Sequence, residues 1–448
     1  MIADRDRLAS TAAREVALEC LEAGIEAGHP RTVVRNAVSL EGETLRIADA
    51  TYDLGEYEEI VVLGGGNAAA HVAVALETIL GDRIDGGVVV TDDPVETERV
   101  AVREGDHPVP SERGVDGTRD VLEAADAATD STLVLAAITG GGSALMPAPA
   151  GDVSLEALRT TTDALLASGA DIGEINAVRK HLSALKGGRL ARCAAPATVA
   201  SVVLSDVVGN DLSVIASGLV APDASTFDDA LAVLERYGID APEAVVGHLE
   251  RGAAGERAET PGPDDPVFET VSNHVVADGM TVLEAARDAA ADRGYEPLVL
   301  SSRVRGEARD AATTHIAIAE KARATGTPVS PPAVLLSGGE TTVTVRGDGT
   351  GGPNQEFATS AALELEDGGD ANENEGGITI AAVDTDGIDG ATDAAGAVVD
   401  ETTVEDPDTA REALAENDVY PYLESRDGLI LTGPTGTNLN DLRVLVVG

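Results

Sequence analysis

The first half of the chain alternates short, wholly apolar runs with longer segments whose apolar residues recur at helical spacing. That alternation predicts a parallel sheet covered by helices. "EEIVVLGGGNAAAHVAVALETIL" reads as strand, glycine turn and helix, "GGVVVTDD" as the next strand, and "STLVLAAITGGGSALM" as strand, glycine turn and helix again. "ATVASVVLSDVVGND" closes a further strand on two aspartates. In doubly wound sheets ligands bind beyond the carboxyl ends of the strands, where these Gly, Ser and Asp clusters fall. The second half is also α/β, with "AVLLS" and "TTVTVRG" separated only by Gly-Gly-Glu, a spacing that predicts adjacent strands and a mixed sheet. Three prolines and a glycine within residues 258–268 mark the expected boundary, dividing the chain into domains 1–265 and 266–448.

Composition narrows the picture. Hydrophobic residues make up 43% but aromatics only 2%, so the cores must be built from Ala, Val, Leu and Ile. Net charge is −48, a self-repulsion that needs screening; many carboxylates, few lysines and small apolar residues read as adaptation to a salt-saturated cytoplasm. Acidic runs such as residues 364–377 are then solvated faces and loops. The same charge argues against nucleic acid or anionic membranes as partners. Two cysteines, Cys20 and Cys193, provide no disulfide framework and no metal-ligand spacing, which fits a reducing cytoplasm. The first 28 residues read as an amphipathic helix without the continuous apolar core of a signal peptide. No run approaches the ~20 apolar residues of a membrane span.

Against this acidity, "INAVRKHLSALKGGRL" stands out. The chain has three lysines, Lys180, Lys186 and Lys321, and two of them lie here beside Arg179, Arg189 and Arg192. Helical spacing places Val178, Leu182 and Leu185 on a buried stripe and Arg179, Ser183 and Lys186 on the neighbouring face, with Gly187 and Gly188 ending the helix. The local reversal of charge predicts an anion site. An ammonium suits a transferring phosphoryl group, and a guanidinium fork suits a carboxylate.

Two glycine turns supply further candidates. Gly64, Gly65, Gly66 and Asn67 begin a G-x-G-x-x-A pattern between strand and helix, with Asp92 at the end of the next strand, as in a dinucleotide site; the same glycines also suit tight packing. Gly140, Gly141, Gly142 and Ser143 offer a second set of backbone N–H groups suited to an anion or phosphate. There is no G-x-x-x-x-G-K-[ST] loop, so a kinase would need another phosphate cradle. Asp206 and Asp386 each follow an apolar strand and are the carboxylates placed to hold Mg²⁺ with phosphate oxygens. Glu340 and Asn354 stand in glycine-dense polar segments, fit for substrate hydrogen bonding or, for Asn354, for capping a helix. His71, His107 and His181 lie near the motifs without a ligand-spaced partner.

Taken in order, "NAVRKHLSALKGGRLA", "SDVVGNDLSVIASGLVAPDASTF", "LSGGETTVTVRG", "GGPNQEFA", "DTDGIDGATDAAGA" and "GPTGTNLNDLRVL" resemble the glycerate 2-kinases that carry a MOFRL domain, once often labelled hydroxypyruvate reductases. The resemblance covers nearly the whole chain. It implies a Rossmann-like three-layer N-terminal domain with a mostly parallel sheet, a smaller C-terminal α/β domain with a mixed sheet, and an active site in the cleft between them. It also implies transfer of the ATP γ-phosphoryl group to the 2-hydroxyl of D-glycerate, assisted by Mg²⁺. In the family a lysine commonly stands where this chain has Asn67, and often an arginine where it has Pro353. Their charge would then fall to Lys186, Arg179, Lys180, Arg303 or Arg305.

On this reading Lys186, Asp206 and Asp386 are catalytic, with Asp206 and Asp386 also the Mg²⁺ ligands. Arg179, Lys180, Ser183, Glu340 and Asn354 bind substrate, and the two glycine turns bind nucleotide or phosphate. ATP and Mg²⁺ are the cofactors and D-glycerate is the small-molecule partner; a homodimer is the candidate assembly, in the cytoplasm. Two other functions stay open. One is an NAD(P)H-dependent hydroxypyruvate reductase, built on the first glycine turn and Asp92. The other is a non-catalytic sugar-acid binding protein, suggested by Asn67 and Pro353.

Overall fold

A computed structural model describes residues 1–367 and 377–448, so most of the acidic run at 364–377 lies outside the described residues. The chain forms two compact units, Val33–Val276 and a second made of Met1–Thr32 with Ala277–Gly448. This division corrects the expected one at 265/266, and two physical causes account for the difference. First, the helix Ala12–Gly28 buries Val16, Leu21 and Ile25 within the second unit, although it opens the sequence. Its Gly24 and Gly28 permit close approach, since a Cβ at Gly24 would lie 2.6 Å from Leu442 and 3.0 Å from the carbonyl of Val282. Second, the chain adds one more strand to the first unit after the proline-rich stretch. That strand is fastened by Ser201 Oγ donating to Asn273 Oδ1 at 2.8 Å and by a 2.7 Å bond between Tyr52 and His274.

The unit Val33–Val276 begins with a small antiparallel sheet, β1 (Val38–Glu41), β2 (Thr44–Ile47) and β3 (Ala50–Asp53). Its main sheet contains β4 (Glu59–Gly65), β5 (Gly86–Thr91), β6 (Ala101–Glu104), β7 (Thr132–Ile138), β8 (Thr198–Leu204) and β9 (Val271–Ala277), in the order β6-β5-β4-β7-β8-β9. The pairs from β6 through β8 are all parallel. Renumbered from β4, the order is 3-2-1-4-5-6, that of a doubly wound dinucleotide-type fold, whose crevice opens where the order reverses, between β4 and β7. As expected from strands covered on both faces, β7 is buried at every position.

The other unit carries a mixed sheet of β10 (Glu296–Glu307), β11 (Ala333–Thr342), β12 (Ile378–Asp384), β13 (Gly396–Asp400), β14 (Leu429–Ile430) and β15 (Asp441–Val447), ordered β10-β11-β15-β12-β13-β14. Only β10 and β11 are parallel; the helix Ala308–Thr325 connects them. The mixed sheet is as expected, but the reason is not. Gly338 and Gly339 do not turn the chain between two strands; they lie inside the single strand β11. A Cβ on Gly339 would sit 2.1 Å from the carbonyl of Val304, so these glycines serve close strand packing. Cores in both units are built from Ala, Val, Leu and Ile, with Phe227 and Phe357 among the few large buried rings.

Filling the gap at Gly24 tests the placement of the helix Ala12–Gly28. Gly24→Val should destabilise the protein by about 1–3 kcal/mol through overpacking against Val282 and Leu442, read as a lower thermal midpoint in concentrated KCl.

Candidate active site

The carboxyl ends of β4 and β7 bring the two glycine turns together, but they are used differently. Gly64 and Gly66 adopt φ of 140° and 138°, and a Cβ at Gly64 would lie 2.1 Å from the carbonyl of Ala137. Only glycine allows that contact. The N–H groups that a phosphate would need are already engaged: Gly66 donates to Val90 O at 3.0 Å, Asn67 to Gly140 O at 2.9 Å and Ala68 to Thr139 Oγ1 at 3.1 Å. Gly64, Gly65, Gly66 and Asn67 are therefore a packing turn, which corrects their assignment as a phosphate cradle. Asp92 likewise accepts from Asn67 Nδ2 at 3.0 Å.

The second turn is more open to a ligand. Gly141, at φ 74°, accepts from the N–H groups of Ala144 and Leu145, whereas the N–H groups of Gly141, Gly142 and Ser143 meet no backbone acceptor among the described residues. Asn67 lies against this turn, its Oδ1 1.8 Å from where a Cβ of Gly141 would be. Asp206, just beyond β8, covers Gly140 in the same way, with Oδ2 2.2 Å from that position. Ser143 is held by Ser217 at 2.7 Å; the Ser217 hydroxyl donates to Asn176 Oδ1 at 3.0 Å, so Ser143 donates to Ser217.

The basic segment departs from its predicted helix. The helix Ile172–His181 starts on a capping box between Asp171 and Glu174, and it stops five residues before Lys186. Beyond it, Ser183 pairs with Pro149, Ala184 N–H donates to Ala148 O at 2.8 Å, and the Ser183 hydroxyl accepts from the N–H groups of Leu185 and Lys186. Pairing with residues 148–150 overrides helical propensity here. The apolar stripe nevertheless holds, with Val178, Leu182 and Leu185 all buried.

Lys186 is 5% exposed and its Nζ donates to the carbonyl of Met146 at 2.7 Å. It lines a cavity of about 290 Å³ together with Gly141, Ser143, Arg179, Ser183 and His107. Burial, and secondarily the charge of Arg179, lowers the pKa of Lys186 to about 7. Burial also pulls the Arg179 guanidinium below its ordinary value. Lys180 does not line this cavity. Its Nζ pairs with Asp223 at 3.1 Å, both side chains nearly fully buried, and this ion pair replaces the substrate-binding role expected for it. Burial alone would raise the Asp223 carboxyl; Lys180 and Ser225 outweigh it and hold it below the usual range.

Asp386, Glu340 and Asn354 belong to the other unit. The Asp386 carboxylate accepts the N–H of Ile388 at 2.7 Å, closing a turn after β12. Asn354 is fully buried and its Nδ2 donates to Asp441 Oδ1 at 2.6 Å and Asp389 Oδ1 at 3.2 Å, a structural tie in place of a substrate contact. Burial raises Asp389 to about 7, and burial with the charges of Asp386 and Asp441 raises Asp384 well above the ordinary carboxylate value. Glu340 is exposed in β11, as Arg303 and Arg305 are in β10. Among the described residues, no group of three or more His, Cys, Asp or Glu is arranged to hold a metal ion.

Two family models match, a domain of unknown function (DUF4147) over residues 16–250 and the MOFRL family over residues 333–441. The glycerate 2-kinase of Pyrococcus horikoshii is 39% identical over 97% of each chain. The chain belongs to the glycerate 2-kinase family that carries a MOFRL domain. Among other members, a putative hydroxypyruvate reductase of Agrobacterium vitis is 41% identical over 87% of each chain. The crystal structure of a glycerate kinase from Thermotoga maritima superposes with a TM-score of 0.83 at 38% identity, covering 97% of this chain and 99% of that one.

In this family member, sequence reasoning gave no role to several cavity residues, His107 and Arg159 among them. His107 precedes a proline in the segment after β6, where only its place between strand and helix hinted at a role; Arg159 lies on the helix Leu155–Ala167 with no motif around it, and its Nε donates to Pro110 O at 2.6 Å. An anion entering beside Lys186 should restore the ammonium. At pH 8 calorimetry in buffers of differing ionisation heat should detect uptake approaching one proton per anion bound, disappearing below about pH 6 and in Lys186→Met.

Proposed function

We propose that this chain transfers the γ-phosphoryl group of ATP to the 2-hydroxyl of D-glycerate, forming 2-phosphoglycerate and ADP. The observation that carries the reading is Lys186, a desolvated ammonium lining a cavity at the switch point of a doubly wound sheet, in a chain alike over nearly its whole length to named glycerate 2-kinases. Phosphoryl transfer depends on positioning and on charge stabilisation, so it asks for fixed cations and N–H donors and for no tuned nucleophile. Lys186 neutralises charge on the phosphoryl oxygens as the 2-hydroxyl oxygen forms its bond to phosphorus, the bond to the ADP oxygen breaks and the hydroxyl proton leaves to solvent. Arg179 holds the glycerate carboxylate, and the N–H groups of residues 141–143 receive phosphate oxygens.

Asp206 is the carboxylate of this unit suited to Mg²⁺. A single hard oxygen donor beside a phosphate-receiving turn matches an ion that keeps waters and nucleotide oxygens as its other ligands. When bound, Mg²⁺ would offset charge on the phosphates. The side chain of Asp386, closing a turn in the other unit, is assigned no metal here. A cytoplasm rich in salt is the setting that net charge −48 favours.

The reductase reading loses support at the first glycine turn, whose N–H groups are consumed within the fold. Both activities can be assayed in concentrated KCl: ADP formation with D-glycerate, with and without EDTA, beside NADH oxidation with hydroxypyruvate. ADP release dependent on D-glycerate and lost with EDTA is expected, with 2-phosphoglycerate identified by NMR. Lys186→Met should lower kcat by roughly 10²–10³ while leaving the melting temperature within a few degrees. Wild-type turnover in that variant would remove Lys186 from the mechanism.

A further inference from the structure

Five basic residues crowd positions 179–192, and the cavity around Lys186 uses two of them, Arg179 and Lys186, while Lys180 is neutralised by Asp223. Arg189 and Arg192 line a second cavity of about 380 Å³ with Arg257, His248, Cys193 and Phe227. Ser183 borders both cavities. Carboxylates are abundant in this chain, 79 acidic residues to 31 basic ones, so a guanidinium that lines a cavity and pairs with none of them carries charge available to a ligand.

Arg257 is such a guanidinium. It forms no ion pair among the described residues, its Nε is buried without an acceptor, and its terminal nitrogens lie over Gly151, 3.0 Å from where a Cβ would be. Arg189 gives one N–H to the carbonyl of Lys180 at 2.8 Å and also lacks an ion pair, and burial followed by the charge of Arg192 pulls its pKa down to about 10. Arg192 is partly committed, to Glu259 O at 2.8 Å and Asp265 at 3.2 Å. His248 Nε2 bonds to His181 O at 3.0 Å and leaves Nδ1 buried without a partner; burial and then the charge of Arg257 push the imidazole below its ordinary value. The cavity thus holds positive charge that the fold compensates only in part, through Asp265 on Arg192 and the nearby charges of Asp223 and Glu259 on Arg189.

We propose that this second cavity binds a small phosphate-bearing metabolite. Planar guanidinium forks match phosphate oxygens in pairs. Three forks and an imidazole around one space suit the charge and oxygen count of a phosphate better than a lone carboxylate. Phe227 adds an apolar wall, and the volume falls in the range of small-molecule sites, about 300–1,000 Å³, so there is room beyond the bare anion.

Cys193 lines this cavity and not the one around Lys186, and it is partly exposed where Cys20 is buried, so its alkylation distinguishes this cavity from the other. N-ethylmaleimide labelling of Cys193, followed by peptide mass spectrometry in KCl at fixed ionic strength, is measured with and without inorganic phosphate. Phosphate at about ten times its dissociation constant should slow labelling by about tenfold in the wild type and in Lys186→Met, and should not slow it in Arg257→Gln. Circular dichroism without phosphate checks that Arg257→Gln is folded; should it not be, Arg192→Gln takes its place. A wild-type labelling rate indifferent to phosphate, or equal protection in the folded arginine variant, overturns the proposal.

Discussion

The energetics of the site rest on desolvating an ammonium without giving it a counter-ion. Lys186 is nearly fully buried and has one carbonyl for company, that of Met146. A charge withdrawn from water in this way is costly unless a partner arrives, so its pKa falls toward neutrality. Six residues earlier, Lys180 shows the alternative, burial offset by a carboxylate at 3.1 Å. Two lysines of one short segment are thus treated oppositely by the fold. The unpaired one faces a cavity and retains unsatisfied electrostatic capacity, which is what a ligand-binding or transition-state-stabilising cation requires.

Such uncompensated positive charge is conspicuous because the rest of the molecule is acidic. Many arginines are spent on carboxylates at the surface, as Arg113 is on Asp106 and Glu104, and Arg293 on Glu15 and Glu19. Exposed pairs of this kind contribute little stability, about 0–1 kcal/mol each, and less in strong salt. They do lower the local density of negative charge. Arg179, Arg189 and Arg257 are not spent in this way, and all three border cavities of the same unit.

Glycines mark the places where the backbone approaches itself most closely, and their two uses could not be separated by pattern. Gly64–Gly66 matches a phosphate-binding fingerprint, yet the neighbouring strand β7 occupies the space a Cβ would need and the loop N–H groups are consumed. Gly338 and Gly339 imitate a hairpin turn and instead lie within β11 against Val304 and Asp441. In both cases tight strand packing and a turn demand the same residue type.

The alternation of apolar runs and helical stripes was enough to predict α/β units, a parallel sheet in the first half and a mixed one in the second, because those periodicities are local consequences of which faces are buried. The long motifs were enough to reveal the family, and the reversed charge around Lys186 to mark a binding segment. Tertiary structure alone decided that the helix Ala12–Gly28 belongs with the C-terminal half, that Lys180 is consumed by Asp223, and that Arg159 and His107 join the cavity. The reason is that each of these depends on partners in other elements, as Lys180 does on Asp223, 43 residues away, whose distance and direction no local periodicity encodes.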